Sequence, residues 1–574
     1  MTLTDLLEEF NVVIDTPQGL TELRSLILGL AVRGKLVSQD PNDEPASELL
    51  KKIKAERKRL YEEGEIRKPK KVKKISEDDY PYQVPKNWIW TNLNEAGVIN
   101  PRNDAEDDLD TSFISMSLIS EGFMEMHDSE KRKWKEIKSG YTHFAENDVG
   151  LAKITPCFQN GKAAIFRNLT NGIGAGTTEL YIFRSVVEDL IPEYVYAFLK
   201  TPDFVNQGVD KMTGTAGQQR VPKSYFENRP FPLPPIEEQH RIVQRIETLF
   251  AEVDELEEKL NLQTKLDKKL QMAVNAEVQK APDADASKTA WRFISTNFDT
   301  LYHTPEAIDN LKKNILNEAV RGRLVPQDPN DEPASELLKK IEFEKQRLYD
   351  EGEIRKPKDL PPVDEEEIPF EIPESWEWCR FGDLASTVEY GTSQKAHKEP
   401  NGVPVLRMGN IDENGNMSFD NLKYVNEDIK DLPRLYLKND DLVFNRTNSY
   451  ELVGKMGLFK ERNEKFTLAS YLIRSTLLTD IFPEYIHHYF NSHHCRVNEI
   501  EPEITKQTNQ ANFNGTKLQN VRVPLSAKEE QHRVVQRIEE LFAICDRFKA
   551  QLEQRQAVNE RLVKGLVGEV LEGS

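Results

Sequence analysis

Long hydrophobic runs and paired cysteines are missing from this chain of 574 residues. No apolar stretch approaches the roughly 18 residues that are needed to span a bilayer. The four cysteines, Cys157, Cys379, Cys495 and Cys545, lie far apart and form no CxxC pair. This spacing argues against a disulfide framework or a structural zinc site and favours a reducing compartment. The sequence therefore predicts a cytoplasmic protein.

Signatures of catalysis are equally scarce. No GxxxxGK[ST] phosphate loop and no (N/D)PP(F/Y) methyltransferase motif is present. The Gly-rich stretch at residues 171–179 contains GxGxG but lies within no clear βαβ unit, so we predict a structural turn there. One cluster has metal-ligand residue types without a familiar ligand spacing: His487, His488, His493, His494 and Cys495. We predict neither a catalytic nor a metal-binding residue.

Positive charge is also in deficit, since the formal net charge is −20. DNA-binding proteins usually present a basic domain, because neutralising phosphates drives much of their affinity. Charge acts locally, however, and acidic stretches such as residues 252–258 and 364–367 do not exclude a basic surface elsewhere. A negative exterior also keeps a large subunit soluble. Charge alone argues against DNA, so the case for DNA must come from other features.

The most informative feature is an internal duplication. Residues 23–70 recur as residues 311–358, and the run QDPNDEPASELLKKI at 39–53 is unchanged at 327–341. A second block, EEQHRIVQRIETLFAEVD at 237–254, recurs as EEQHRVVQRIEELFAICD at 529–546. Between the two blocks each half contains a variable part of about 150 residues. Copies that share a scaffold but differ in their working domains are expected to recognise two different things.

The second block predicts a long amphipathic helix in each half. Apolar residues recur every three or four positions, which makes one narrow stripe on an otherwise charged helix. In the first copy they are Ile242, Ile246, Leu249, Phe250, Val253, Leu256 and Leu260. Such a stripe suits a partner helix better than a globular core. We therefore expect the two helices to pair antiparallel as a spacer, and the N-terminal block to pack beside the C-terminal helix and close a ring.

The variable domains read as α/β with short strands, and polar loops recur at matching places in both. Arg reads guanine and Asn or Gln reads adenine in the major groove, while Lys, Ser and Thr suit phosphates. These residue types predict DNA contacts. In the first domain the predicted residues are Lys153, Thr155, Gln159, Lys162, Gln218, Gln219, Arg220 and Lys223. In the second they are Lys395, Arg407, Asn410, Arg446, Thr447, Asn448, Lys455, Gln507 and Asn509.

The duplicated blocks resemble the specificity subunit of Type I restriction-modification enzymes. The resemblance rests on residues 26–57 and their copy, and on FPLPPIEEQHRIVQRIETLF (231–250) and VPLSAKEEQHRVVQRIEELF (523–542). It implies two target-recognition domains, each reading half of a split site in double-stranded DNA. It also implies two methyltransferase subunits and two restriction subunits as partners. Cofactors are expected only in those partners, namely S-adenosylmethionine, ATP and Mg²⁺.

The predicted fold class is two α/β (α+β) target-recognition domains joined by long helices that form an antiparallel coiled coil, in a pseudo-twofold, circular arrangement. The predicted segments are an N-terminal helical repeat (1–80), recognition domain 1 (81–236), a long helix (237–278), a linker with the second repeat (279–368), recognition domain 2 (369–525) and a C-terminal helix (526–574). Two alternatives stay open: a coiled-coil scaffold whose variable domains bind proteins, and an enzyme with an unrecognised nuclease or methyltransferase site.

Overall fold

The chain forms two compact units in a computed structural model, which describes residues 17–68, 75–123, 127–215, 217–460, 465–507 and 510–572. Unit 1 holds the chain as far as Thr264 together with the end of the last helix from Ala557. Unit 2 runs from Lys265 to Gln556. Each unit therefore contains one copy of the duplicated blocks and one variable domain.

Unit 1 contains a helical repeat followed by a mixed α/β domain. Its helices are α1 (Pro17–Val32), α2 (Ala46–Glu62), α3 (Leu93–Ala96), α4 (Trp134–Ile137), α5 (Pro192–Leu199), α6 (Pro202–Val209), α7 (Lys223–Asn228) and the start of α8 (Ile236–Lys280). Its strands are β1 (Ile89–Asn92), β2 (Gly97–Ile99), β3 (Asp110–Ile114), β4 (Glu130–Lys133), β5 (Thr142–Ala145), β6 (Val149–Ala152), β7 (Ala163–Ile165), β8 (Ile173–Gly176), β9 (Leu180–Ser185) and β10 (Pro230–Leu233).

Unit 2 repeats this order of elements. Its helices after α8 are α9 (Ala284–Thr296), α10 (Phe298–Leu301), α11 (Pro305–Val320), α12 (Ala334–Asp350), α13 (Phe381–Leu384), α14 (Pro483–Asn491), α15 (His493–Cys495), α16 (Gly515–Asn520) and most of α17 (Lys528–Glu572). Its strands are β11 (Glu377–Arg380), β12 (Ala385–Tyr390), β13 (Val403–Leu406), β14 (Lys423–Val425), β15 (Leu442–Asn445), β16 (Thr447–Asn448), β17 (Met456–Leu458), β18 (Thr467–Leu468), β19 (Leu472–Leu477), β20 (Thr505–Gln507), β21 (Gln510–Asn512) and β22 (Arg522–Leu525).

The two variable domains share the topology of their main sheet. The main sheet has the order β2-β9-β6-β7 in unit 1 and β12-β19-β15-β17 in unit 2. A two-stranded pair closes each domain, β1 with β10 and β11 with β22, both antiparallel. A second sheet in each domain contains one parallel pair, β3 with β8 and β13 with β18. The prediction of two copies of an α/β domain is therefore confirmed, although their loops differ.

A buried polar cluster in unit 1 explains why the duplicated blocks are so similar in sequence to their copies in unit 2. Glu238, near the start of α8, accepts hydrogen bonds from Trp88 Nε1 at 2.8 Å and from Gln39 Nε2 at 2.5 Å. One turn further on, Arg241 pairs with Asp43 at 2.5 Å. Burial raises the pKa of the Glu238 carboxyl. The buried Glu238 carboxylate and Trp88 indole need their partners, so these residue identities are tightly constrained.

The same cluster is built a second time in unit 2. Glu530 accepts from Trp376 Nε1 at 2.9 Å and from Gln327 Nε2 at 2.6 Å. Arg533 pairs with Asp331 at 2.5 Å. The QDPND and EEQHR sequences thus meet in space in both units, and they fasten the helical repeat, the variable domain and the long helix together.

The apolar stripe of α8 is used differently from the prediction. Ile242, Ile246, Leu249, Phe250 and Val253 are buried in the main core of unit 1, together with residues of α1, α2 and α5. The expectation that this stripe serves a partner helix is therefore wrong for its first half. A short repeat and a variable domain flank the helix on the same side, and they bury the stripe in a globular core.

The prediction of a structural turn at residues 171–179 is also corrected, because the centre of this Gly-rich stretch forms strand β8. A Cβ atom at Gly174 would lie 2.5 Å from a ring carbon of Phe144 and 2.5 Å from the carbonyl oxygen of Ser112. Glycine here allows the close approach of a neighbouring strand and ring. The stretch is a packing feature of the sheet.

Candidate nucleic-acid interface

The predicted polar loops of the first variable domain lie side by side. After strand β6 ends, Thr155 donates its backbone N–H to the Gln219 carbonyl at 2.9 Å, and Gln219 N–H donates to Thr155 Oγ1 at 3.1 Å. Val221 N–H donates to the Lys153 carbonyl at 2.9 Å. Two segments that are about 65 residues apart in sequence therefore form one surface. The sequence indicated each loop, and the fold joins them.

Charged groups concentrate at this surface, which we call the domain 1 patch (Lys153, Thr155, Glu179, Gln218, Gln219, Arg220 and Lys223). The guanidinium of Arg220 makes a two-point contact with Glu179, with Nε and Nη2 donating at 2.9 and 2.8 Å. Lys223, at the start of α7, pairs with Glu227 at 3.0 Å. Lys153 lies over the ring of Tyr181 at 5.1 Å.

The surroundings shift the pKa values of Glu179 and Lys153 in opposite senses with respect to their charge. The hydrogen bonds from Arg220 lower the pKa of the Glu179 carboxyl, so this group is ionised at neutral pH. Burial lowers the pKa of Lys153, and the charge of Glu179 partly offsets that effect. The patch thus holds three basic side chains, Lys153, Arg220 and Lys223, on a chain whose net charge is strongly negative.

The second variable domain joins its predicted loops in the same way. Strand β16, which holds Thr447 and Asn448, pairs with β21, and β21 pairs with β20. Thr447 Oγ1 donates to Asn512 Oδ1 at 2.6 Å. Gln507 ends β20, and Asn509 lies outside the described residues. The loops at 446–449 and 505–514 thus form one small sheet.

A cleft of about 880 Å³ opens beside this small sheet. It is lined by four of the predicted residues, Lys395, Arg407, Asn410 and Asn448, and also by Lys423 and Tyr471. We call the cleft residues together with Arg446, Thr447 and strand β20, which ends at Gln507, the domain 2 patch. Basic, amide and aromatic side chains around an open cleft are the groups with which proteins contact DNA bases and phosphates.

Asn410 has a different environment from the one predicted for a DNA-contacting residue. It is buried, its Oδ1 accepts from the Arg407 backbone N–H at 2.9 Å, and its Nδ2 donates to the Ser418 carbonyl at 3.0 Å. The amide therefore holds the loop in which Arg407 lies. We now assign it to positioning.

Lys153 and Arg446 are structural equivalents in the two domains. Lys153 N–H donates to the Glu179 carbonyl at 2.9 Å, and Arg446 N–H donates to the Tyr471 carbonyl at 3.1 Å. The carbonyl oxygens of Lys153 and Arg446 in turn accept from the late loop. Val221 N–H donates to Lys153 and Phe513 N–H donates to Arg446, each at 2.9 Å. A cation therefore follows the same central strand in both copies.

Three predicted residues lie apart from the two patches. Gln159 lines a separate cleft with Thr21 of α1 and Phe250 of α8, and Lys162 lies 3.9 Å from Glu121. Lys455, the counterpart of Lys162 in unit 2, lines a cavity with residues of α11 and α14, and burial lowers its pKa. Gln159 and Lys455 thus face cavities that helices help to line. DNA contact by the three stays a prediction without a shared surface to support it.

Glu179, Lys423 and Tyr471 were missed from the sequence. Glu179 and Tyr471 each stand directly before the strand that neighbours the predicted loop, β9 or β19. The signal was therefore present, since a polar or aromatic residue precedes the same strand in both copies. Lys423 begins strand β14, where the first copy has no similar sequence.

No cluster of three or more His, Cys, Asp or Glu side chains that could hold a metal ion occurs among the described residues. The His-rich segment has ordinary packing roles: His487 Nε2 lies 3.2 Å from the Gly415 carbonyl, and His494 packs against the Phe370 ring. The four cysteines are free thiols. Within the described ranges, no helix is long and apolar enough to cross a bilayer.

Comparisons with known proteins agree with this organisation. The family model for the Type I restriction modification DNA specificity domain matches twice, at residues 95–266 and 373–555. The chain is 40% identical to the Type I restriction enzyme EcoEI specificity subunit of Escherichia coli, over 96% of this chain and 94% of that protein. It is also 40% identical to the EcoAI specificity subunit of the same organism, over 92% and 90%.

Among solved structures, a chain from a study of complex assembly and conformational transition in the type I R-M system superposes with a TM-score of 0.51. It shares 18% sequence identity and covers 86% of this chain and all of its own, which supports the fold. The doubled family match, together with close relatives along nearly the whole length, shows that this chain belongs to the family of Type I restriction-modification specificity subunits.

Proposed function

We propose that this chain binds a bipartite DNA target, with one recognition domain for each half-site. The observation that carries the proposal is the recurrence of one cation-bearing loop surface, at Lys153 and at Arg446, on two copies of the same scaffold. The scaffold is nearly constant, whereas the residues around the two cations differ. Two related surfaces with different chemistry are suited to reading two different short sequences.

Within each patch we assign two kinds of contact. Arg220, Gln218 and Gln219 in domain 1, and Arg407, Arg446, Asn448 and Gln507 in domain 2, carry the donors and acceptors that read base edges. Lys153, Thr155, Lys223, Lys395 and Thr447 suit phosphate and positioning contacts. Asn509 belongs with the base-reading group by its residue type.

The gap between half-sites would be set by the long helices α8 and α17. Unit 1 contains the start of α8 and the end of α17, whereas unit 2 contains the end of α8 and most of α17. Within unit 1, Asn261 of α8 and Lys564 of α17 line the same cleft. The presence of opposite helix ends at one cleft supports an antiparallel helix pair.

Catalysis would belong to partner subunits. Two methyltransferase subunits would bring S-adenosylmethionine, and two restriction subunits would bring ATP and Mg²⁺ for translocation and cleavage. The relatives named above are specificity subunits of Type I restriction enzymes. The chain itself would select the DNA sequence and would catalyse no chemical step.

The test is to co-express the chain with its methyltransferase subunits and to map methylated bases across the genome of the host. We expect a split motif, two short specific halves around a fixed gap. Replacing residues 81–236 by the matching domain of a relative should change one half and leave the other. A complex that assembles yet methylates nothing, and a purified chain that shows no salt-sensitive shift of duplex DNA, would favour the protein-binding scaffold.

A further inference from the structure

Arg220 is held in a geometry that leaves a pair of donors for a ligand. Its backbone N–H and carbonyl both pair with Thr213, at 2.9 and 3.0 Å, so the residue is fixed in an extended segment beside Ile154. Its side chain is 43% exposed, although its guanidinium is ion-paired. The residue is thus anchored by its main chain and open to solvent at its tip.

The hydrogen-bond count of the guanidinium is decisive. A guanidinium has five N–H donors. Nε and Nη2 each donate one to Glu179, and Nη1 donates one to the Gln218 carbonyl at 3.0 Å. Among the described residues this leaves one unused N–H on Nη1 and one on Nη2. Two adjacent donors on the terminal nitrogens are the fork that reads O6 and N7 of guanine.

Glu179 fixes the direction of that fork. Its carboxylate occupies the Nε side of the guanidinium, and its backbone carbonyl accepts from Lys153 N–H at 2.9 Å, so it is tied to the end of the central strand. A preorganised side chain loses less entropy on binding than a free one. The Glu179 carboxylate therefore orders the Arg220 side chain in part before DNA binds.

We propose that Arg220 reads a guanine in the half-site of domain 1, with Glu179 as its positioning residue. This inference rests on the proposed function and goes further, since it names one base and one residue. In domain 2 the positions equivalent to Glu179 and Arg220 are Tyr471 and Asn512, because Phe513 N–H takes the place of Val221 N–H. The effect is therefore confined to one half-site.

The experiment uses the full chain in complex with its methyltransferase subunits and compares duplexes in competition. Arg220→Gln should lose discrimination at one G·C pair by about 5- to 150-fold, equivalent to about 1–3 kcal/mol at 1.4 kcal/mol per tenfold. Glu179→Gln should relax the same pair to a smaller extent. Neither should move the thermal midpoint noticeably, because a partly exposed ion pair contributes little to stability.

Replacement of that guanine by 7-deazaguanine removes the N7 acceptor alone. It should weaken binding by the wild-type complex and leave Arg220→Gln unaffected. The matched control is Arg434→Gln in domain 2, which removes an arginine that is 48% exposed and ion-paired with Glu389. The domain 1 half-site should not change in this variant.

The outcomes distinguish failure of the proposed function from failure of the guanine assignment. If the wild-type complex selects no split sequence, the proposed function fails. If it does, but Arg220→Gln weakens all duplexes equally or keeps every base preference, then Arg220 contacts phosphate or nothing, and the guanine assignment is overturned.

Discussion

Trp88 Nε1 donates a 2.8 Å hydrogen bond to the Glu238 carboxylate, and this buried contact ties the variable domain of unit 1 to the long helix α8. Trp376 and Glu530 make the same contact at 2.9 Å in unit 2. Because Glu238 also accepts from Gln39, its two oxygens join three separate segments of the chain. Removal of this contact therefore tests how much it contributes to the stability of the duplicated scaffold.

We expect Glu238→Ala to destabilise the protein by about 2–4 kcal/mol, because it leaves the buried indole N–H and the Gln39 amide without an acceptor. Glu238→Gln should lose less, since it keeps an acceptor and removes a charge that burial disfavours. Urea unfolding followed by circular dichroism measures both. Glu237→Ala, at the exposed neighbour, is the control and should change little. Equal losses at positions 237 and 238 would contradict the role of the cluster.

Gly174 gives a prediction about the sheet of domain 1. A Cβ atom there would lie 2.5 Å from both a Phe144 ring carbon and the Ser112 carbonyl oxygen. We expect Gly174→Ala to cost about 1–3 kcal/mol through overpacking, measured as a lower denaturation midpoint. Gly409→Ala, where nothing lies within 4 Å of an added Cβ, is the control. A neutral Gly174→Ala would show that the strand pair can separate without loss.

The duplication made most of the fold predictable. Two copies of one sequence define the repeat, the variable domain and the long helix, and shared landmarks such as the PEY motif mark the same helix in both, α5 and α14. The role of the α8 stripe was not predictable, because periodicity shows which face is apolar but not what covers it. In the structure, α1, α2 and α5 cover it.

The candidate site was predictable in outline only. Recurrence of polar loops located Lys153 and Arg446, which the structure shows to be equivalent. Sequence could not show that Lys455 faces a cavity lined by α11 and α14, since side-chain direction at a turn depends on tertiary packing. Nor could it show that Glu179, 41 residues before Arg220, is its partner.

Lys395 allows the DNA proposal to be tested by salt dependence. It lines the cleft of domain 2, whereas Lys398, three residues later and also exposed, does not. If Lys395 contacts a phosphate, Lys395→Gln should weaken binding similarly for all sequences and reduce the slope of log K against log salt by about 1. Lys398→Gln should leave that slope unchanged. Loss of preference at a single base pair would instead assign Lys395 to base reading.

One position has diverged between the copies in a way that affects stability at low pH. Arg33 pairs with Asp203 at 2.7 Å in unit 1. In unit 2 the equivalent arginine is Arg321, and the equivalent of Asp203 is His494, which is buried and whose Nε2 has no hydrogen-bond partner among the described residues. Burial, reinforced by the charge of Arg321, lowers the pKa of His494 to about 3.

The sign of the pH effect follows from that lowered pKa. The unfolded chain binds a proton at His494 near pH 6.5 while the folded chain does not, so stability is present above pH 6.5 and is lost as the pH falls toward 3. Between pH 6.5 and 4.5 we expect the wild type to lose about 2 kcal/mol more than His494→Gln, since one pKa unit corresponds to 1.36 kcal/mol and the unfolded histidine is already half protonated at pH 6.5. Urea unfolding at both pH values measures the difference. His240→Gln, at an exposed histidine, should follow the wild type. If His494→Gln follows it too, His494 gains its proton without unfolding, and its burial is not what limits stability in acid.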